Sequence, residues 1–264
     1  SQNDVETLEK VAMTALGGRA AGSDTKYAKL LVEALLKVTH DTESGLRCDS
    51  EDILFDKFED GEINDTRLLS GVFWRQRIPM ERMAGVRENA KVALLNCDIK
   101  QREMKRDSEI ELQSAEDLQK FMLIQEETLG AIADNIISTG AEIICSSGDV
   151  EKIILHRLAA EGKVVIHGLD GKQLTQLAQA SGAAVVEHLD DLSSDNLGIV
   201  GRMEAERRMA TEAVQDRIIF DACEGPLVTI LVGGAMGVEE TIRGMYDALR
   251  ATSLTITEGG TLPG

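Results

Sequence analysis

The sequence predicts a mixed α/β fold, α+β in its overall texture, and three observations carry that expectation. Residues 1–40 hold two amphipathic helical periodicities, and a long apolar stripe at helical spacing opens at Ser114. After Gly140, short β-branched runs alternate with helical stretches, each bracketed by a capping residue and a glycine.

The elements follow in order. Val5, Leu8, Val11, Ala12 and Ala15 space a first helix, and Gly17-Gly18-Arg19-Ala20 reads as a turn. Asp24 is placed to cap a second helix, with Tyr27, Leu30, Leu31, Ala34, Leu35 and Val38 on its buried face. Ile53 to Phe58 is β-rich, and Asp60-Gly61 after it has hairpin-turn chemistry. Further β segments are expected at Gly71-Val72-Phe73-Trp74 and Val92 to Leu95, with two short strands flanking the charged stretch Lys100 to Asp107.

Ser114, with Asp117 three residues later, reads as a capping box opening a helix. Leu118, Phe121, Met122, Leu129, Ile132, Ala133 and Ile136 recur along it until Gly140 stops it, about 25 residues against a usual three to four turns. Then come a strand at Ile143 to Cys145, a helix from Asp149 to Glu161, a strand at Lys163 to His167, a helix from Asp170 to Ser181 and a strand at Ala184 to Glu187. That order implies right-handed parallel βαβ crossovers, with Asp149 and Asp170 as N-caps and Gly162 and Gly182 as stops. Strands at Ile218 to Phe220 and Leu227 to Val232, a break at Gly233-Gly234, and a helix turning Val238, Ile242, Met245, Tyr246 and Leu249 inward complete the chain.

Composition narrows the function. The 264 residues suffice for one or two domains, and 46 acidic against 28 basic residues leave a net charge of −18. That balance excludes nucleic-acid and anionic-membrane surfaces, which need clustered Lys and Arg. Aromatic residues are only 3%, which argues against base-stacking platforms. No apolar run is long enough to span a bilayer and the N-terminus lacks a signal-peptide pattern, so a soluble, cytoplasmic protein is expected. Cys48, Cys97, Cys145 and Cys223 lie far apart without a CxxC pair and read as reduced, mostly buried side chains; no metal site is expected. Asn64-Asp65-Thr66 spells a sequon of no consequence without secretion. The absence of an initiator Met and the ending Leu262-Pro263-Gly264 suggest an excised piece.

Catalytic motifs are scarce. GxSxG, HExxH and the P-loop pattern are absent, and His40, His156, His167 and His188 are not spaced as ligands. Gly233-Gly234-Ala235-Met236-Gly237 sits between strand and helix like a phosphate cradle, yet has neither the full GxGxxG pattern nor a Lys, so a hinge or tight turn competes with a small-ligand site. Asp247, between Arg243 and Arg250, reads on spacing alone as a solvated helix carboxylate. Ile153, Ile154 and Leu158 read as core residues of their helix.

Val86-Arg87-Glu88-Asn89-Ala90-Lys91-Val92-Ala93-Leu94-Leu95-Asn96 closely resembles a stretch of group II chaperonin subunits, the thermosome and CCT type. Other markers resemble that family in the same order: Ala12 to Arg19, Asp65 to Val72, Leu118 to Phe121 with Gln125 to Glu127, Asp190 to Leu192 with Leu197-Gly198, Val228 to Leu231, and Asp247 to Arg250.

The resemblance implies a fragment of an ATP-dependent chaperonin that binds unfolded polypeptide and encloses it for folding. Residues 1–69 and 227–264 would form a smaller, helix-rich intermediate domain. Into it is inserted an apical, substrate-binding domain, 70–226, with βαβ layers, a β-sandwich-like part and a helical protrusion at about 108–140, the built-in lid. Gly71, Gly233 and Gly234 would be hinges. Phe73, Trp74, Ile78 and Met80 on a proximal loop, with Lys152, His156 and Arg157 on the facing helix, would hold polypeptide. Asp247 matches the aspartate that orients the attacking water in ATP hydrolysis. Arg19 takes the place of a nucleotide-sensing Lys, which exchanges a point charge for a bidentate fork. ATP and Mg would belong to the parent, with no cofactor in this fragment, which alone would be inactive; sister subunits of a double ring would be its partners. The alternatives are a free-standing α/β small-ligand enzyme using the Gly233–Gly237 turn, and an ATP-independent polypeptide-binding module.

Overall fold

In the computed structural model the described residues are 2–17, 25–42, 45–58, 61–62, 65–101, 114–208, 216–234 and 237–258. They divide into a discontinuous unit, 1–73 with 220–264, and a contiguous unit, 74–219, inserted in it along the chain. The division falls inside two strands. Asp24, Asp60, Asn64, Arg19 and the stretch 102–113 lie outside the described residues, and with them the expectations placed there.

In chain order the elements begin with α1 (Gln2–Leu16), α2 (Thr25–Val38), β1 (Thr39–Thr42), β2 (Gly45–Cys48), β3 (Ile53–Phe58) and β4 (Arg67–Leu69). Next come β5 (Val72–Arg75), β6 (Gly85–Leu95), α3 (Ala115–Ser138), β7 (Ile143–Ser146), α4 (Lys152–Ala160) and β8 (Val164–Ile166). The chain continues through α5 (Gly171–Ser181), β9 (Val185–Val186), β10 (Gly198–Glu206), β11 (Arg217–Asp221), β12 (Val228–Gly233) and α6 (Val238–Glu258).

The discontinuous unit packs α1, α2 and α6 on a three-stranded sheet ordered β3-β12-β4. β12 runs parallel to β3 and antiparallel to β4, so the strand from the second chain segment is the central one. All six residues of β12 are buried, the continuous apolar pattern of a strand covered on both faces. Its core joins Ala12, Leu16, Leu31, Leu35, Ile53, Ile230, Met245 and Leu249. Each such aliphatic side chain contributes about 1.5–3 kcal/mol when fully buried. Two expectations needed correction. β1 and β2 form an antiparallel hairpin absent from the sequence reading. Tyr246, expected inward, is 44% exposed, although its ring leans on Phe55 with centroids 4.4 Å apart.

The contiguous unit is built on a seven-stranded sheet ordered β5-β11-β10-β6-β7-β8, with β9 on β6. β7 and β8 run parallel, as do β6 and β7, so the strand-helix-strand order after Gly140 does form parallel pairs. β6 is longer than its apolar run. Gly85 to Lys91 is largely exposed and pairs antiparallel with β10, whereas Val92 to Leu95 is fully buried. The sequence reading missed β10, whose exposed and buried residues alternate with one slip at Gly201.

Caps explain the helix boundaries. Ser114 accepts from the Asp117 N–H at 3.1 Å, and its hydroxyl donates to the Asp117 carboxylate at 2.7 Å. Asp170 and Gln173 form a reciprocal capping box, and Gly182 ends α5 at φ 74°, where any side chain would be strained. Asp149 is not an N-cap. Its N–H donates to Asp98 at 2.9 Å and Val150 bridges to Ile99, which holds 149–150 extended and delays α4 to Lys152.

Candidate functional site

Asp247 stands on α6. Val238, Met245, Ala248 and Leu249 bury one side of that helix, and Thr252 turns its hydroxyl back to the Ala248 carbonyl at 2.8 Å. Glu240, Arg243, Asp247 and Arg250, at i, i+3, i+7 and i+10, therefore share the opposite, exposed side. Arg243 pairs with Glu240 at 3.7 Å. In the first turn Glu239 binds Lys57 of β3, and that hydrogen bond holds its carboxyl below the usual carboxylate range. Asp247 is thus an exposed carboxylate on a helix whose other side is packed into a core.

The glycines beside these elements have packing reasons to be glycine. A Cβ at Gly71 would collide with the Phe220 carbonyl, and one at Gly233 with the Glu62 carbonyl. Gly234 adopts φ 131°. The Gly233 N–H donates to the Thr66 hydroxyl at 3.1 Å, so it is not aimed at a phosphate. That N–H is therefore already satisfied within the unit; Ala235 and Met236 lie outside the described residues.

The nominated polypeptide-facing residues, Phe73 at the edge of the discontinuous unit and the others in the contiguous unit, separate by burial. Phe73, Trp74 and Ile78 are buried, at 6%, 4% and 0% exposure, and offer no face to a ligand. The reason is local: Val72 to Arg75 is strand β5, packed as an apolar run, and the loop starts only at Gln76. Met80 is half-buried, and its sulfur lies 3.5 Å from the Arg82 guanidinium, while Lys152 and His156 are exposed on α4. Ile153, expected in the core, is 39% exposed beside them, whereas Ile154 and Leu158 are buried. Arg157 is exposed and forked onto Asp134 of α3, with its Nη2 at 2.9 and 3.2 Å from the two carboxylate oxygens. It joins two helices of its own unit.

Arg77, three residues before Met80, is exposed. Helix α3 carries a further apolar surface: Leu118, Phe121, Met122, Leu123 and Ile124 are all exposed, while Leu129, Ala133 and Ile136 are buried. Cys97, Asp98, Lys100, Ile132, His188 and Asp190 contribute to a cleft of about 300 Å³ in the same unit. Among the described residues no group of three or more His, Cys, Asp or Glu side chains could hold a metal. No helix among them is long and apolar enough to cross a membrane. None of the four cysteines is in a disulfide; Cys145 and Cys223 are buried, and burial pushes the Cys145 thiol well up.

The described architecture is a helix-rich unit interrupted along the chain by an α/β unit with a long, partly bare helix. An open-state monomer of a group II chaperonin from Methanococcoides burtonii has the same fold, with a TM-score of 0.72 at 23% identity over 100% of this chain and 60% of that one. The chain belongs to the TCP-1/cpn60 chaperonin family, whose model matches residues 1–264. It is 32% identical to a thermosome subunit of Methanopyrus kandleri and 33% to one of Pyrococcus horikoshii, over 99% of this chain and 48% of each relative. The chain spans about half the length of the curated relatives it matches.

Proposed function

We propose that this chain is the intermediate and apical part of an ATP-dependent group II chaperonin subunit, which binds unfolded polypeptide and encloses it for folding. One observation carries the reading: a family match along all 264 residues that accounts for 48% of a thermosome subunit. The discontinuous unit takes the intermediate role and the contiguous unit the apical role, with α3 as the lid protrusion and Gly71, Gly233 and Gly234 as hinges. Met80, Lys152, Ile153 and His156 face polypeptide. ATP and Mg are held by the rest of the subunit, whose sister subunits form a double ring in the cytoplasm.

Within this division of labour Asp247 orients the attacking water, the positioned carboxylate that phosphoryl transfer to water requires. In the full-length subunit, Asp247→Ala is expected to abolish ATP hydrolysis, measured as phosphate release, while nucleotide binding persists. Undiminished turnover would remove Asp247 from the mechanism. The 264-residue chain alone is expected to neither bind nor hydrolyse ATP; stoichiometric nucleotide binding by calorimetry would overturn the division.

A further inference from the structure

Loop 76–80 is fixed to its unit at more points than a surface loop needs. The Gln76 side chain donates to the His167 carbonyl at 2.9 Å. The Ile78 N–H donates to Asp216 Oδ2 at 2.9 Å, and the Ile78 side chain is 0% exposed. Pro79 follows, with its φ set by the ring. Asp216 is itself only 8% exposed, and its other oxygen accepts from the Arg208 N–H at 2.9 Å. A carboxylate so placed is costly unless each oxygen finds a donor, and here both are backbone N–H groups from separate segments.

We propose that Asp216 is the positioning residue of the polypeptide-facing loop: its carboxylate pins Ile78 to Arg208, two residues beyond the end of β10, and so holds Arg77 and Met80 at the surface. The functional half of this inference rests on the polypeptide-binding reading above; the anchoring half does not. Only an acceptor at both oxygens satisfies both N–H groups. Asparagine offers one acceptor and one donor, so Asp216→Asn frees one anchor while nearly preserving volume. Ile78 itself cannot supply the contact surface, being wholly inside. The anchored backbone decides which side chains remain outside, and those are Arg77 and, in part, Met80.

The test compares the unsubstituted chain with Asp216→Asn by two readouts. The first is limited trypsin digestion, following cleavage after exposed Arg77 relative to cleavage after exposed Arg202 and Lys172. The second is binding of reduced, carboxymethylated lactalbumin, a permanently unfolded polypeptide. Asp216→Asn is expected to accelerate cleavage after Arg77 selectively and to weaken lactalbumin binding by on the order of tenfold, as loss of a hydrogen bond to a charged group implies. An unchanged Arg77 site in a folded variant, or acceleration at all sites together, overturns the anchoring. Selective acceleration with undiminished lactalbumin binding overturns the positioning role. If the unsubstituted chain binds no lactalbumin, the polypeptide-binding reading fails, and Arg77 cleavage still decides the anchoring. Should Asp216→Asn not fold, hydrogen exchange in the unsubstituted chain decides: the Ile78 and Arg208 amides are expected to be protected, and exchange of Ile78 at a free-chain rate overturns the proposal.

Discussion

Asp98 shows how much of this molecule is settled by single side chains with distant partners. Its carboxylate meets the Lys100 ammonium at 2.7 Å and accepts from the Asp149 N–H at 2.9 Å. The Lys100 hydrogen bond, then the Asp149 N–H, hold its carboxyl below the usual range. A depressed folded value means that its contribution to stability is complete above the unfolded carboxylate value and is lost as pH falls through the folded one. The melting temperature of the natural chain is therefore expected to converge on that of Asp98→Asn as pH is lowered from about 7 to about 2. A gap independent of pH would sink this account. The Asp149 partnership was not legible beforehand, because Asp149 lies 51 residues along the chain. Asp216 was hidden for the same reason, 138 residues from Ile78. Phe73, Trp74 and Ile78 mislead in the opposite direction: the family resemblance nominates them as contacts by position, but burial is their lower-energy state unless a partner covers them.

At the scale of elements, α3 is two helices in one. From Leu129 onward its apolar positions enter the core of the contiguous unit, and Asp134 bonds Arg157 of α4. Between Leu118 and Ile124 the apolar side chains stay bare. Ile136→Ala is accordingly expected to destabilise the unit by about 2–5 kcal/mol, and Ile124→Ala by less than about 0.5 kcal/mol, in urea unfolding. Equal effects would mean that the bare half is packed after all. The spacing of Leu118 to Ile136 announced the helix and Ser114 its start, since a cap is a contact within three residues. It did not announce which half is covered, because that depends on where the sheet and α4 lie. Asp149 failed as a cap on the same principle, its neighbours at 98 and 99 having drawn it into an extended bridge. β10 escaped because the slip at Gly201 interrupts the two-residue alternation.

At the scale of the molecule, the order of units along the chain follows from one strand. β12 is central in the β3-β12-β4 sheet and comes from the second segment, as does α6, which packs on the core built by α1 and α2. The first segment cannot close that core alone: without β12, strands β3 and β4 have no neighbour between them, and Ala12, Leu16 and Leu35 lose Ile230, Met245 and Leu249. Apart from the outer ends of β5 and β11, the contiguous unit has its own sheet and helices within 74–219. A chain ending at residue 219 is therefore expected to lose slow amide exchange throughout α1, α2 and β3, while β6, β7 and α5 retain it. The acidic excess, spread over both units, does not alter that expectation, since the lost contacts are apolar and wholly inside. Retained protection in α1 and α2 would show that the discontinuous unit is held by its first segment, and the central place of β12 would then carry less of the fold than its buried pattern implies.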